Sequence, residues 1–335
     1  MSNQHIKIGF IGAGSIGSLF GGYLADIRSR KYSIEVTLFC MKSHADVINK
    51  KGLKIVRNQK IRVINKIKAF ENEKSFDVKL RRDSPFIFDF IFLTTKAYDI
   101  KSALLQYKEL VNQSKRLVIL QNGIGNEDKV VNYCDKSKII RALTSNGAFL
   151  DEPGCVFHTG EGKTKIGFPF INEFSSESQE FKQAELDLNL LREILSLSGF
   201  ETIIVKDIIK ECWEKAFVNI GINAIGALTR LPNGMLLEIE GLKEIMGKAI
   251  KEAIEVAEMK KIELPKRDYI SITYDVARKT AENKNSMLQD ILNNQLTEIN
   301  FLNGRILKYA TDLGIKVPVN NILTHLILGL ERSAN

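Results

Sequence analysis

Short apolar runs separated by stretches of helical spacing mark the first half of the chain. Ile6–Ile11 is one such run, Ser15–Ala25 carries a helical pattern, and Ile34–Phe39 is apolar again. Phe86–Thr94, Leu117–Leu120 and Ile139–Leu143 continue the series. Short apolar runs separated by helical segments predict βαβ units and a parallel sheet. Residues 51–70 read differently. Leu53, Ile55 and Arg57, then Ile61, Val63 and Asn65, alternate as a hairpin does, and a hairpin set into the sheet is expected there. Gly160, Gly162 and Gly167 punctuate a further strand pair, and Ser175–Gln179 reads as a solvent loop or an exposed helix start.

From about Asp207 the texture changes. Glu211–Thr229, Gly241–Lys260 and Met287–Asp312 each carry apolar residues at three- and four-residue spacing, which predicts amphipathic helices. Pro232, Pro265 and Pro318 fall between these patterns or at their starts, where proline is tolerated. The expected architecture is therefore an α/β domain with a doubly wound parallel sheet over residues 1–206. An all-α domain over residues 207–335 follows it.

Composition narrows the function classes. Of 335 residues, 44% are hydrophobic and 26% charged, as in ordinary globular proteins. No run approaches the ~18 apolar residues of a membrane span, and no secretory signal is legible, so a cytoplasmic protein without membrane partners is expected. The four cysteines form no CxxC pair and the histidines are scattered, so no metal site is expected. Net charge is +8, but the lysines are dispersed rather than gathered into an aromatic-rich tract. A nucleic-acid partner is therefore not expected, whereas a positive field suits a small anionic cofactor or substrate. A homodimer is compatible with the chain, whose sequence does not fix the number of copies.

Gly12-Ala13-Gly14-Ser15-Ile16-Gly17 follows the first strand and opens a helix, the context that a dinucleotide fingerprint requires. The turn, the close approach of pyrophosphate and the helix–strand packing each need a glycine, and the helix N-terminus favours phosphate. This is the mark of a Rossmann-type domain. An NAD site places a carboxylate at the end of the second strand, but here that end reads Phe39-Cys40-Met41-Lys42-Ser43. Lys42 and Ser43 suit a 2′-phosphate, so NADPH is the expected cofactor. Thr95-Lys96 and Gln121-Asn122-Gly123-Ile124-Gly125 follow two more strands and share the same edge, where ligands gather.

The chemistry is expected in the second domain. Lys215, Asn219 and Asn223 recur every four residues on an otherwise apolar helix and so line one face. Buried polar groups need partners, and a polar ligand would supply them. Hydride addition to a ketone builds charge on oxygen, which a lysine can stabilise and then protonate. Ser286 with Gln289 fits a capping box, and Glu298 taken alone would be a solvated acid on a helix.

Seven segments in order resemble the ketopantoate reductase family over nearly the whole chain: GAGSIG at 12–17, TKA at 95–97, QNGIGN at 121–126, WEKAFVNIGIN at 213–223, LPNG at 231–234, NSMLQDI at 285–291 and TEINFLNG at 297–304. The resemblance implies NADPH-dependent reduction of 2-dehydropantoate, a small 2-oxo acid, to pantoate on the way to coenzyme A, with the active site between the two domains. It implies Lys215 as the catalytic lysine, and Asn219, Asn223, Asn233, Asn283 and Ser286 as substrate-pocket residues. Asn122 would serve both substrate and cofactor, and Lys96 would join the fingerprint at the cofactor. Glu298 would stand at the reacting centre, within reach of cofactor as well as substrate. One departure concerns Met41, near which the family commonly has arginine to meet the 2′-phosphate. Two rival readings are a related dehydrogenase for another 2-oxo or hydroxy acid and a non-catalytic NADP sensor.

Overall fold

The computed structural model describes residues 3–76, 87–173 and 178–333. The chain divides into two compact units: Met1–Gln121 with Asn126–Ile208, and Asn122–Gly125 with Ile209–Asn335. Among the described residues, no helix is long and apolar enough to cross a membrane.

Among the described residues, the first unit holds twelve strands: β1 (Gln4–Ile11), β2 (Tyr32–Phe39), β3 (Leu53–Arg57), β4 (Lys60–Ile64), β5 (Ile67–Phe70), β6 (Phe90–Leu93), β7 (Arg116–Ile119), β8 (Ile139–Thr144), β9 (Gly147–Glu152), β10 (Cys155–Gly160), β11 (Thr164–Gly167) and β12 (Thr202–Ile204). Its helices are α1 (Ser15–Ala25), α2 (Lys42–Lys51), α3 (Ile100–Gln106), α4 (Lys108–Asn112), α5 (Glu127–Val130) and α6 (Gln179–Leu197). Eight strands form the main sheet in the order β12-β11-β8-β7-β6-β1-β2-β5. All neighbours run parallel except β8 and β11. Strand order reverses between β1 and β6, and this is where an open α/β sheet forms its ligand crevice. The register puts Ile11 level with Phe39 and Leu93, and Leu93 level with Ile119. Gly12, Cys40, Thr94 and Leu120 thus leave the sheet along one edge.

Both faces of the main sheet are covered along its middle strands, which is why these read as mostly apolar runs. Ile6, Ile8, Phe10, Phe90, Phe92 and Ile140 are at most 1% exposed. Helix α1 is buried along most of its length. A Cβ on Gly21 would lie 2.6 Å from Leu38 and one on Gly22 2.7 Å from Ile55, so glycine permits contact with strands on both sides.

Three expectations are corrected. The hairpin of β3 and β4 forms, pairing Leu53 with Ile64, but it belongs to a separate sheet of order β4-β3-β10-β9. Only β5 joins the main sheet, beside β2. Burial explains this: β4 is exposed over four of its five residues, a pattern incompatible with a sheet covered on both faces. The strands around Gly160 and Gly167 do not pair with each other, since β10 pairs with β9 and β3 while β11 pairs with β8 and β12. The third strand expected from Phe86 is formed over Phe90–Leu93, and Phe86 lies outside the described residues. Ser175 to Glu177 of the expected loop are outside them as well, while Ser178 caps α6 by accepting the Phe181 N–H.

The second unit is helical: α7 (Ile208–Thr229), whose first residue still clusters with the first unit, α8 (Glu240–Met259), α9 (Tyr269–Lys279), α10 (Ser286–Leu292), α11 (Asn303–Leu313) and α12 (Pro318–Ser333). The single helix expected over Met287–Asp312 is broken. Asn294 takes a left-handed φ of 52° after α10, and a 3-10 turn over Ile299–Phe301 precedes α11. Glu252 of α8 accepts the first N–H groups of α12, from Val319 and Asn320, at 2.9 Å each. It satisfies donors that a helix start leaves open.

Candidate active site

In the first unit, the glycine loop is held from both sides. Gly12 and Ala13 donate to the Phe39 carbonyl at 2.9 Å each, and Thr94 Oγ1 donates to the Gly12 carbonyl at 3.1 Å. Gly12 has φ 77°, and a Cβ there would fall 2.2 Å from the Thr95 side chain, so no other residue fits. Gly14 is the opposite case: a Cβ would meet nothing within 4 Å, and no side chain caps α1 at that end. Open space beside uncapped helix donors is what a pyrophosphate needs. Ser15 Oγ accepts the Leu150 N–H at 3.1 Å, leaving its own hydrogen to donate. Ile16 and Gly17 continue the first turn.

A cleft of about 420 Å³ adjoins this loop, lined by Gly12, Met41, Lys42, Glu71, Thr95 and Asp99 among others. Lys42 opens α2, which has no side-chain cap, and Met41 is 72% exposed. Lys96 does not line this cleft. It sits at the turn after β6, where Gln121 Nε2 donates to the Thr95 and Lys96 carbonyls at 2.8 and 3.2 Å. Burial pushes the Cys40 thiol and the Tyr107 hydroxyl, both on this cleft, up to about 12 each. Desolvation also raises the Asp99 carboxyl above its ordinary value.

In the second unit, Lys215 Nζ donates to Asn122 Oδ1 at 2.8 Å. Asn122 belongs to a short loop fixed by its own neighbours. Ile124 N donates to the Phe301 carbonyl at 3.2 Å, and Gly123 has φ 90° with Phe301 where a Cβ would be. Asn122, Asn223, Ser286, Asp290 and Glu298 line one small cavity, closed by Met287 and Leu302. Asp290 and Glu298 are each 8% exposed. Glu298 stands in the turn after the α10 break, not on a helix as expected. The neighbouring Thr297 anchors that turn by donating its N–H and hydroxyl to Glu331 at 2.8 and 2.6 Å.

The remaining expected residues lie around rather than in this cavity. Asn219 is half-buried on α7, between Lys215 and Asn223. Asn233 is buried, donating through Nδ2 to Thr280 Oγ1 at 2.9 Å and through its backbone to the Asn283 carbonyl at 3.0 Å. Its Oδ1 has no hydrogen-bond partner among the described residues. Ser286 does not cap α10. Asn285 does, accepting the Leu288 N–H at 2.9 Å, so Ser286 is left exposed at the cavity. Asp290 was not singled out from sequence. Its signal was there, since it follows Ser286 by four residues and shares its helix face.

A cleft beside a glycine loop at the carboxyl edge of a doubly wound sheet, and a lysine–asparagine pair beside a polar cavity, fit the class of nicotinamide-dependent oxidoreductases. Residues 8–169 match the family described as "Ketopantoate reductase PanE/ApbA", and residues 207–331 match its "C terminal" part. The chain belongs to the ketopantoate reductase family. It is 35% identical over 328 residues to the 2-dehydropantoate 2-reductase of Pyrococcus abyssi, covering 97% of this chain and 98% of that one. A corresponding enzyme from Archaeoglobus fulgidus is 31% identical, with 99% of each covered. Among solved structures, the ketopantoate reductase of Ralstonia eutropha JMP134 superposes with a TM-score of 0.83 at 25% identity, over 98% of this chain and 99% of that one. A D-mandelate dehydrogenase solved with NADH and anilino(oxo)acetate gives 0.84 at 26% identity, over the same shares.

Proposed function

We propose that this chain reduces 2-dehydropantoate to pantoate with NADPH, a step toward coenzyme A. In this reading residues 1–206 hold the cofactor and 207–335 the substrate. The observation that carries it is Lys215 Nζ held on Asn122 Oδ1 at 2.8 Å, with Asn122 lining a cavity shared by Asn223, Ser286 and Glu298. NADPH fits the first unit: Gly12 to Gly17 would hold the pyrophosphate, Lys42 the 2′-phosphate, and Lys96 would add a cation. The nicotinamide, when bound, supplies the hydride.

Lys215 then stabilises the charge growing on the ketone oxygen and donates the proton. Asn122 aims that ammonium by accepting one of its hydrogens. Asn223 and Ser286 bind the substrate's polar groups directly, while Asn219, Asn233 and Asn283 extend the polar surroundings. Glu298 orients Lys215 or the substrate hydroxyl. The likeness to D-mandelate dehydrogenase favours a second reading, in which another 2-oxo acid is the substrate. The polar lining of the cavity favours a hydroxylated aliphatic acid over an aryl one.

The test is NADPH oxidation with 2-dehydropantoate, run beside phenylglyoxylate. Lys215→Ala should lower kcat by about 10²- to 10⁴-fold, the usual worth of a positioned proton donor. Its NADPH affinity should stay within about twofold, since the cleft lies in the other unit. Undiminished turnover in the variant would remove Lys215 from the mechanism, and faster turnover of phenylglyoxylate would select the second reading.

A further inference from the structure

Among the described residues, the lining of the cleft beside Lys42 carries more negative than positive charge. Lys42 is the one lysine or arginine among those residues, whereas Glu71 and Asp99 both line the cleft. Neither acid sits at the end of β2, where a ribose-binding carboxylate is usually sought. Glu71 follows directly after β5, and the register of β5 on β2 pairs Phe70 with Phe39. Cys40 N donates to the Phe70 carbonyl at 2.9 Å. Glu71 is therefore level with Cys40, one strand over. Asp99 comes from the turn after β6, on the other side of β1.

We propose that Glu71 and Asp99 are cofactor-specificity residues that keep NADH usable alongside NADPH. The proposal rests on reading this cleft as the nucleotide site. Ribose hydroxyls are donors and find acceptors in carboxylates, whereas a 2′-phosphate is a dianionic acceptor and is repelled by them. Lys42 is exposed, and an exposed lysine–anion pair is worth up to about fivefold in affinity. An arginine fork would be worth more, but Met41 supplies none. With the two acids set against one lysine, discrimination between the cofactors is small.

The test measures dissociation constants of NADPH and NADH by the fluorescence of the reduced nicotinamide. The proteins are the unaltered chain, the double variant Glu71→Gln with Asp99→Asn, and Met41→Arg. The unaltered chain should favour NADPH by less than about tenfold, since one exposed cation supplies at most about fivefold and the two acids oppose it. The double variant should widen that ratio by at least about threefold through tighter NADPH binding, and Met41→Arg should widen it further. A ratio above about tenfold in the unaltered chain, or one unmoved in the double variant, overturns the proposal. Binding of neither nucleotide is a different failure: it refutes the nucleotide reading of the cleft, and the specificity proposal with it.

Discussion

His44 makes the first unit sensitive to acid, and the size of the effect follows from its contacts. The ring lies on α2 and is 2% exposed. Its Nδ1 accepts the Gly154 N–H at 2.8 Å, so the ring hydrogen must be on Nε2, which meets Ser18 Oγ at 2.9 Å. Ser18 Oγ passes its own hydrogen to the Ala13 carbonyl at 3.2 Å, inside the glycine loop. Protonation would set a second hydrogen against the Gly154 N–H, and burial already holds the His44 pKa below its ordinary 6.5. The unfolded chain therefore binds this proton more readily than the folded one. Stability is whole above about pH 6.5 and falls as pH drops from there to the lowered folded value, by at most about 1.4 kcal/mol per pH unit.

His44→Asn keeps an acceptor near Gly154 but cannot titrate and loses the bond to Ser18. It should cost about 1–2 kcal/mol near pH 7.5. Toward about pH 5 that gap should narrow, because only the unaltered protein pays the protonation penalty. Urea unfolding followed by far-ultraviolet circular dichroism at several pH values reads the gap directly. His158, whose pKa burial also lowers, is present in both proteins and cancels. A gap that stays constant between about pH 7.5 and 5 would refute the assignment of Nδ1 as an acceptor held away from protons.

Two further outcomes follow from buried contacts. Asp187 accepts from Arg116 Nε at 2.8 Å and Lys115 Nζ at 2.6 Å, and the Arg116 side chain is 7% exposed. Asp187→Ala leaves that arginine without its carboxylate and should cost about 3–5 kcal/mol in urea unfolding, whereas a cost under about 1 would mean water replaces the pair. Gly123→Ala forces a side chain to within 2.8 Å of Phe301 at φ 90°. By displacing Asn122 it should lower kcat by about 10- to 100-fold with NADPH affinity unchanged, and an unaltered kcat would show that Asn122 does not aim Lys215.

Elements buried on all sides were legible because their chemistry is uniform. The buried stretches 8–11 of β1, 36–39 of β2 and 139–143 of β8 are mostly apolar, and the glycine fingerprint lies between β1 and α1 as its spacing requires. What failed was assignment of strands to sheets. β3 and β5 look alike in sequence, but β3 packs Leu53 and Ile55 against α1 while β5 extends the main sheet. Which surface a strand meets depends on an element far away in the chain, and a local pattern carries no record of it.

The same limit shaped the site. Lys215, Asn219 and Asn223 form a legible stripe, but eight residues of helix span about 12 Å, longer than the small cavity they border. Asn223 lines it, while Lys215 is tied to its edge through Asn122. Glu298 and Asp290 were harder. Apolar residues at 288, 291, 299, 302 and 306 keep helical spacing across the break, and no glycine or proline lies between Ser286 and Asn303 to mark it. Only Asn294, in a conformation asparagine tolerates better than most residues, ends α10 there. The turn that follows brings Glu298 onto the cavity that Asp290 lines from α10. A continuous helix would have spaced the two carboxylates along its axis by about 12 Å. The break is thus what makes an acidic wall out of two residues that periodicity assigns to solvent.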